Sequence, residues 1–136
     1  GYEFLKASFP HKQVHALEVL VTDDPKTNIL HLDCTFQPVG DKYAIIYENG
    51  FMKKPELLYD IFGKENFIKV DKAEMYSMFP NVFSIAPNKV ISEKGFTRLN
   101  EELRKKGIEV IEVAYAEVSK LSGLFRCSTL PLRRKH

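Results

Sequence analysis

Three side chains of this 136-residue sequence are of the types a nucleophilic site needs. His31 and Asp33 stand in His31-Leu32-Asp33-Cys34-Thr35-Phe36 near the start. Cys127 stands in Leu124-Phe125-Arg126-Cys127-Ser128-Thr129-Leu130-Pro131-Leu132 at the end. An imidazole moves protons near neutral pH, a carboxylate holds cations, and a thiolate is a strong nucleophile. Both stretches read as strands. Alternation then puts His31 and Asp33 on one face and Cys34 on the other, where Cys34 serves as a small core residue. Gly123 allows close approach of backbone or ligand beside the second stretch, and Pro131 marks an edge or a strand end. Each motif also has a structural reading: a histidine hydrogen-bonded at a sheet end, an inert buried thiol, and Arg126 in an ion pair.

The elements that must position these groups come from an internal repeat. Residues 31–51 read as strand, tight turn, strand, ending in Glu48-Asn49-Gly50-Phe51; residues 81–96 read the same way, ending in Glu93-Lys94-Gly95-Phe96. The turns carry Val39-Gly40-Asp41-Lys42 and Pro87-Asn88-Lys89. A helix follows in each copy. Its buried stripe is Leu57 with Ile61 and Leu58 with Phe62 in the first, and Phe96, Leu99 and Leu103 in the second. Glu101 with Lys105 and Glu102 with Lys106 have the favourable acid-first spacing on a solvent face. Gly63 and Gly107 sit where helix C-caps belong, and strands over 66–70 and 108–113 close the units. Each repeat, approximately 31–70 and 81–113, is therefore β-β-α-β. Asp71-Lys72-Ala73-Glu74 has the spacing of a capping box and predicts a short helix over 72–78. Residues 1–24 supply a helix and a strand over 17–21, the tail of an earlier unit, and 124–132 supplies one more strand.

Composition sets outer bounds. The chain is 44% hydrophobic and 28% charged, proportions of a globular domain. Twenty basic against 18 acidic residues give a net charge of +2, too balanced to argue for nucleic acid. The Arg133-Arg134-Lys135-His136 tail reads as a solvated terminus. No apolar run approaches a membrane span, and no signal peptide is visible. Two distant cysteines suit a reducing, cytoplasmic compartment better than a disulfide framework. Neither has a second Cys or His at metal-binding spacing, so no metal site is expected.

In order, with the repeat between them, the His-Leu-Asp and Cys-Ser-Thr-Leu-Pro-Leu segments resemble the C-terminal motifs of the guanidine-modifying enzymes: arginine deiminases, dimethylargininases and amidinotransferases, the pentein superfamily. The resemblance implies an α/β fold, a partial five-bladed α/β propeller, in which residues 81–120 are the penultimate blade and 1–136 form a single C-terminal fragment. It implies Cys127 as nucleophile, His31 as proton carrier and Asp33 as substrate ligand, acting through a covalent amidino intermediate on a guanidino or ureido compound such as arginine, without cofactor. Ser122-Gly123-Leu124 follows the dimethylargininase pattern, whereas Asp33 follows arginine deiminases and amidinotransferases. Further carboxylates come from earlier blades in that superfamily, so the missing N-terminal half or a second copy is the implied partner. Two other classes stay open: a non-catalytic propeller fragment that pairs through an open edge strand, and a thiol hydrolase of amides or esters.

Overall fold

The structure, a computed structural model, describes residues 1–133; Arg134, Lys135 and His136 of the basic tail lie outside the described residues. Two three-stranded sheets carry the fold. In the first, β1 (Phe36–Val39) pairs antiparallel with β2 (Tyr43–Ile46), which pairs parallel with β3 (Phe67–Lys69). The second repeats that order with β4 (Phe83–Ala86), β5 (Lys89–Glu93) and β6 (Glu109–Val113). Helices α2 (Glu56–Phe62) and α4 (Thr97–Lys105) make the β-to-β crossings, so the two expected β-β-α-β units are present. Gly63 and Gly107 end the helical stretches with φ of 78° each, a backbone region that a Cβ disfavours.

The middle strand of the first sheet shows why the pattern works. Ala44 and Ile46 face one apolar cluster with Leu58, Tyr59 and Phe67, whereas Ile45 and Tyr47 face the main core. Period-two alternation thus buries both faces of β2. The main core draws Val39, Ile45 and Ile68 from the first unit and Val90, Leu99 and Leu103 from the second, with Leu124 and Phe125 added from the C-terminal segment. At the hairpin ends, the Gly40 N–H donates to Ser84 Oγ at 2.8 Å.

Expectations at the edges of the units need correction. The apolar stripe of α2 is Leu58, Tyr59 and part of Phe62, while Ile61 is 55% exposed; the tyrosine ring takes the core position the isoleucine was expected to fill. On α4, Lys105 pairs with Glu102 at 2.9 Å, and Lys106 crosses to the first unit, over the Tyr43 ring and towards the Glu65 carbonyl. Residues 17–21 form one isolated bridge, Val19 to Phe51, flanked by Leu20 N–H to the Gly50 carbonyl, instead of a strand. The capping box does form around α3 (Lys72–Tyr76): Asp71 Oδ1 accepts from the Glu74 N–H, and a Glu74 oxygen accepts from the Asp71 N–H. Helix α1 (Tyr2–Ser8) buries none of its residues.

Candidate active site

The segment leading into β1 is not a strand. His31 is extended at the start of a 3-10 turn over Leu32–Cys34, closed by Cys34 N–H to the His31 carbonyl and Thr35 N–H to the Leu32 carbonyl. Only at Phe36 does the ladder begin. Thr35 fixes the turn: its buried hydroxyl donates to the Tyr47 carbonyl at 2.7 Å, and its own carbonyl accepts the Tyr47 N–H. Strand alternation therefore does not apply to residues 31–34. The turn nonetheless separates their side chains. Asp33 faces the C-terminal segment, whereas Cys34 packs half-buried against the main core. Burial pushes the Cys34 thiol above its usual value; hydrogen bonds to the His31 and Leu30 backbones oppose this, and the Asp33 and Cys127 charges add to it.

Nor is the C-terminal stretch a strand. After Gly123, the chain makes a single helical turn in which Ser128 N–H reaches the Leu124 carbonyl. The Ser128 hydroxyl donates to the Leu124 carbonyl and the Thr129 hydroxyl to the Phe125 carbonyl, each at 2.7 Å. Such side-chain-to-backbone bonds offer the chain an alternative to a ladder. Leu124 and Phe125 plug the core, Phe125 stacking on Tyr115 at 4.8 Å, and the turn beyond them presents Cys127 at the surface. Gly123 is required here: its φ is 111°, and a Cβ would lie 2.9 Å from that of Cys127. Arg126 makes no ion pair among the described residues and donates to the Thr129 carbonyl.

The two turns meet. Cys127 Sγ lies 3.5 Å from Asp33 Oδ2. Between them is Asn81, just ahead of β4, whose Nδ2 stands 3.2 Å from both Asp33 Oδ2 and Cys127 Sγ. Its Oδ1 accepts the backbone N–H groups of Leu124 and Cys127 at 2.9 and 3.2 Å. The other Asp33 oxygen, Oδ1, is buried and has no hydrogen-bond partner among the described residues. A buried acceptor in that state is costly unless a donor reaches it. His31 is exposed, and its ring makes no hydrogen bond to Asp33 or Cys127. Of the three residues expected in the site, the structure thus brings Asp33 and Cys127 together and leaves His31 beside them on the surface.

Asn81 was missed in the sequence. The repeat held a clue, since Asn81 precedes Phe83 of β4 as Cys34 precedes Phe36 of β1. A cavity of about 690 Å³ is lined by Cys34, Met78, Phe96 and Leu124 but by none of His31, Asp33 or Cys127. No three His, Cys, Asp or Glu side chains converge as a metal site among the described residues. No helix among them is long and apolar enough to cross a membrane.

The arginine deiminase family profile matches residues 61–134. The chain belongs to that family. It is 34% identical to the uncharacterized protein YkgA of Bacillus subtilis over 105 residues, 77% of this chain and 36% of YkgA. It is 31% identical to the arginine deiminase of Mycoplasma capricolum, again across 36% of that enzyme and 87% of this chain. The chain therefore spans about a third of the length of these relatives. In fold it is similar to the N-terminal domain of ArgZ, a cyanobacterial arginine dihydrolase solved with substrate bound (TM-score 0.78, 21% identity, 95% of this chain and 45% of that one). Another solved form of that ArgZ domain is covalently bonded to a reaction intermediate. It is also similar to SxtG, an amidinotransferase from Microseira wollei (TM-score 0.72, 19% identity, 98% and 38%). The two small sheets are those of a mixed α/β pentein-type fold.

Proposed function

We propose that this chain carries the nucleophile side of a guanidine-modifying site, its two units being two blades of a five-bladed propeller. One observation carries the reading: a carboxylate whose buried Oδ1 lacks a donor among the described residues, held 3.5 Å through its other oxygen from an exposed thiol. A guanidinium ion supplies both things this pair lacks, N–H donors for Asp33 and an electrophilic carbon for Cys127. Membership of the arginine deiminase family and the covalent form of the ArgZ domain support the same chemistry.

In the proposed mechanism the Cys127 thiolate attacks the central guanidinium carbon, forming a C–S bond. Collapse of the tetrahedral adduct breaks a C–N bond, and the departing amine takes its proton from His31. Imidazole then removes a proton from the acceptor that attacks the amidino thioether and expels the thiolate. Water as acceptor makes a hydrolase and an amine makes an amidinotransferase. Asp33 shares the cation with carboxylates contributed from outside this chain.

Labelling of the cysteines at neutral pH tests this, with chloroacetamidine as a cationic guanidinium mimic and iodoacetamide as its neutral counterpart. Cys127 is expected to react faster with the amidine, and Cys34 with neither. Equal rates at Cys127 for the two reagents overturn the reading. One observation favours a second reading, an assembly module: Ile111 and Val113 on the β6 edge are each 37% exposed. A concentration-dependent dimer with an inert Cys127 is its signature.

A further inference from the structure

We propose that Asn81 is the positioning residue that keeps a thiolate compatible with the neighbouring carboxylate; the inference rests on the reading of Cys127 as a nucleophile. Asn81 is fully buried, and its main chain is tied down at both ends. Its N–H donates to the Met78 carbonyl at 2.9 Å, and its carbonyl accepts the Arg126 N–H at 3.3 Å. The side-chain oxygen receives the N–H groups of Leu124 and Cys127. Backbone N–H groups only donate, so this end of the amide must be the oxygen. The NH2 end is thereby forced towards Cys127 Sγ and Asp33 Oδ2, with the Asp33 carbonyl at 3.5 Å.

That orientation answers an electrostatic problem. A thiolate 3.5 Å from a carboxylate is a like-charge pair, and each anion needs a donor of its own. While Cys127 is protonated, its S–H can donate to Asp33 Oδ2. When the proton leaves to solvent, sulfur becomes an acceptor only, and the Asn81 amide offers one N–H to each anion. Both backbone bonds to Oδ1 persist in either state, so the sulfur keeps its place through ionisation. Smaller uncharged residues lack this combination: a serine or threonine has one hydroxyl proton, and an alanine leaves the Leu124 and Cys127 N–H groups without this acceptor.

The test reads Cys127 alkylation by neutral iodoacetamide from pH 5 to 10. Asn81→Asp keeps the acceptor for Leu124 and Cys127 but puts an anion where the donor was. Its reactivity midpoint is expected to rise by at least about one pH unit. Adding Asp33→Asn exchanges the amide and the carboxylate, and the midpoint should return towards wild type. A midpoint unmoved in folded Asn81→Asp overturns the proposal, as does a double variant that restores nothing. Should Asn81→Asp fail to fold, the unaltered 15N-labelled chain decides. The Asn81 side-chain amide resonances must shift with the Cys127 titration and stay still in Cys127→Ser; resonances that do not follow the thiol overturn the proposal. Because no guanidinium is present, a normal Asn81 response without amidine preference refutes only the proposed function. Amidine preference with an unmoved midpoint refutes only the positioning role.

Discussion

Two segments run into the first strands of the two β-β-α-β units, and their side chains meet at Cys127. Residues 31–35 coil into a 3-10 turn with His31 in solvent and one Asp33 oxygen unpartnered among the described residues. The segment ahead of β4 is buried from Asn81 to Val82, and the Asn81 amide uses both its acceptor and its donors. Asp33 and Asn81, on the lead-in segments of the two units, thus do unequal work. Of these two segments, the one proposed to meet substrate carries the unpartnered carboxylate oxygen, and the one that fixes the geometry carries the saturated amide. Repetition supplies places, and single residue types divide the labour.

Making the two positions chemically alike should have the largest effect. Asp33→Asn places an amide on each side, and the preference of Cys127 for chloroacetamidine over iodoacetamide should fall by about ten- to a hundredfold. That is the range of a charge-assisted hydrogen bond worth ~1.5–3 kcal/mol. Competition labelling followed by mass spectrometry measures it, and an unchanged preference would place the cation elsewhere. Next in size is the anchor of the first segment. Thr35 secures Tyr47 at the end of β2, while in the second unit Asn100 on α4 does the corresponding work by donating to the Glu93 carbonyl at 2.9 Å. Thr35→Val should lower unfolding free energy by about 1 kcal/mol and slow Cys127 labelling by chloroacetamidine by loosening Asp33. Denaturant titration gives the first number, and labelling rates give the second. A loss of stability with unaltered labelling would uncouple the anchor from the site.

The smallest effect distinguishes the glutamates that follow β2 and end β5. Glu93 is buried and accepts the Gly95 and Tyr115 N–H groups. Glu48 instead takes a hydrogen bond from the Tyr59 hydroxyl and pairs with Lys69. The Tyr59 hydroxyl foremost, then Lys69, holds the Glu48 carboxyl below its usual 4.5. A carboxyl depressed on folding contributes stability that is complete above its unfolded value and is lost as pH falls through the folded one. Tyr59→Phe should therefore cost under about 1 kcal/mol near pH 7, and the difference from wild type should shrink below pH 4. Melting temperatures at the two pH values check the sign; a gap that widens in acid contradicts it.

Local chemistry made much of this molecule legible in its sequence. The capping box at Asp71, the C-caps at Gly63 and Gly107 and the period of both hairpins depend on neighbours a few residues away, and all appear. The motifs carrying the reactive groups misled because hydroxyl side chains compete for backbone carbonyls, four residues back in the second motif and twelve residues on in the first. Thr35, Ser128 and Thr129 turn their hydroxyls onto backbone carbonyls, and the expected strands give way to turns. Asn81 escaped notice because its side-chain partners lie 43 to 48 residues away, where spacing rules have no reach.

The Leu124–Phe125 plug has a consequence for heat. The sulfur sits on the same short turn as two side chains embedded in a core shared by both sheets. Cys127 cannot drift from Asp33 as a loose loop would while the remainder stays intact; Leu124 must first leave the interior. Loss of the thiol's setting and melting are thereby tied into one cooperative event, and the sulfur keeps its address until the protein itself comes apart.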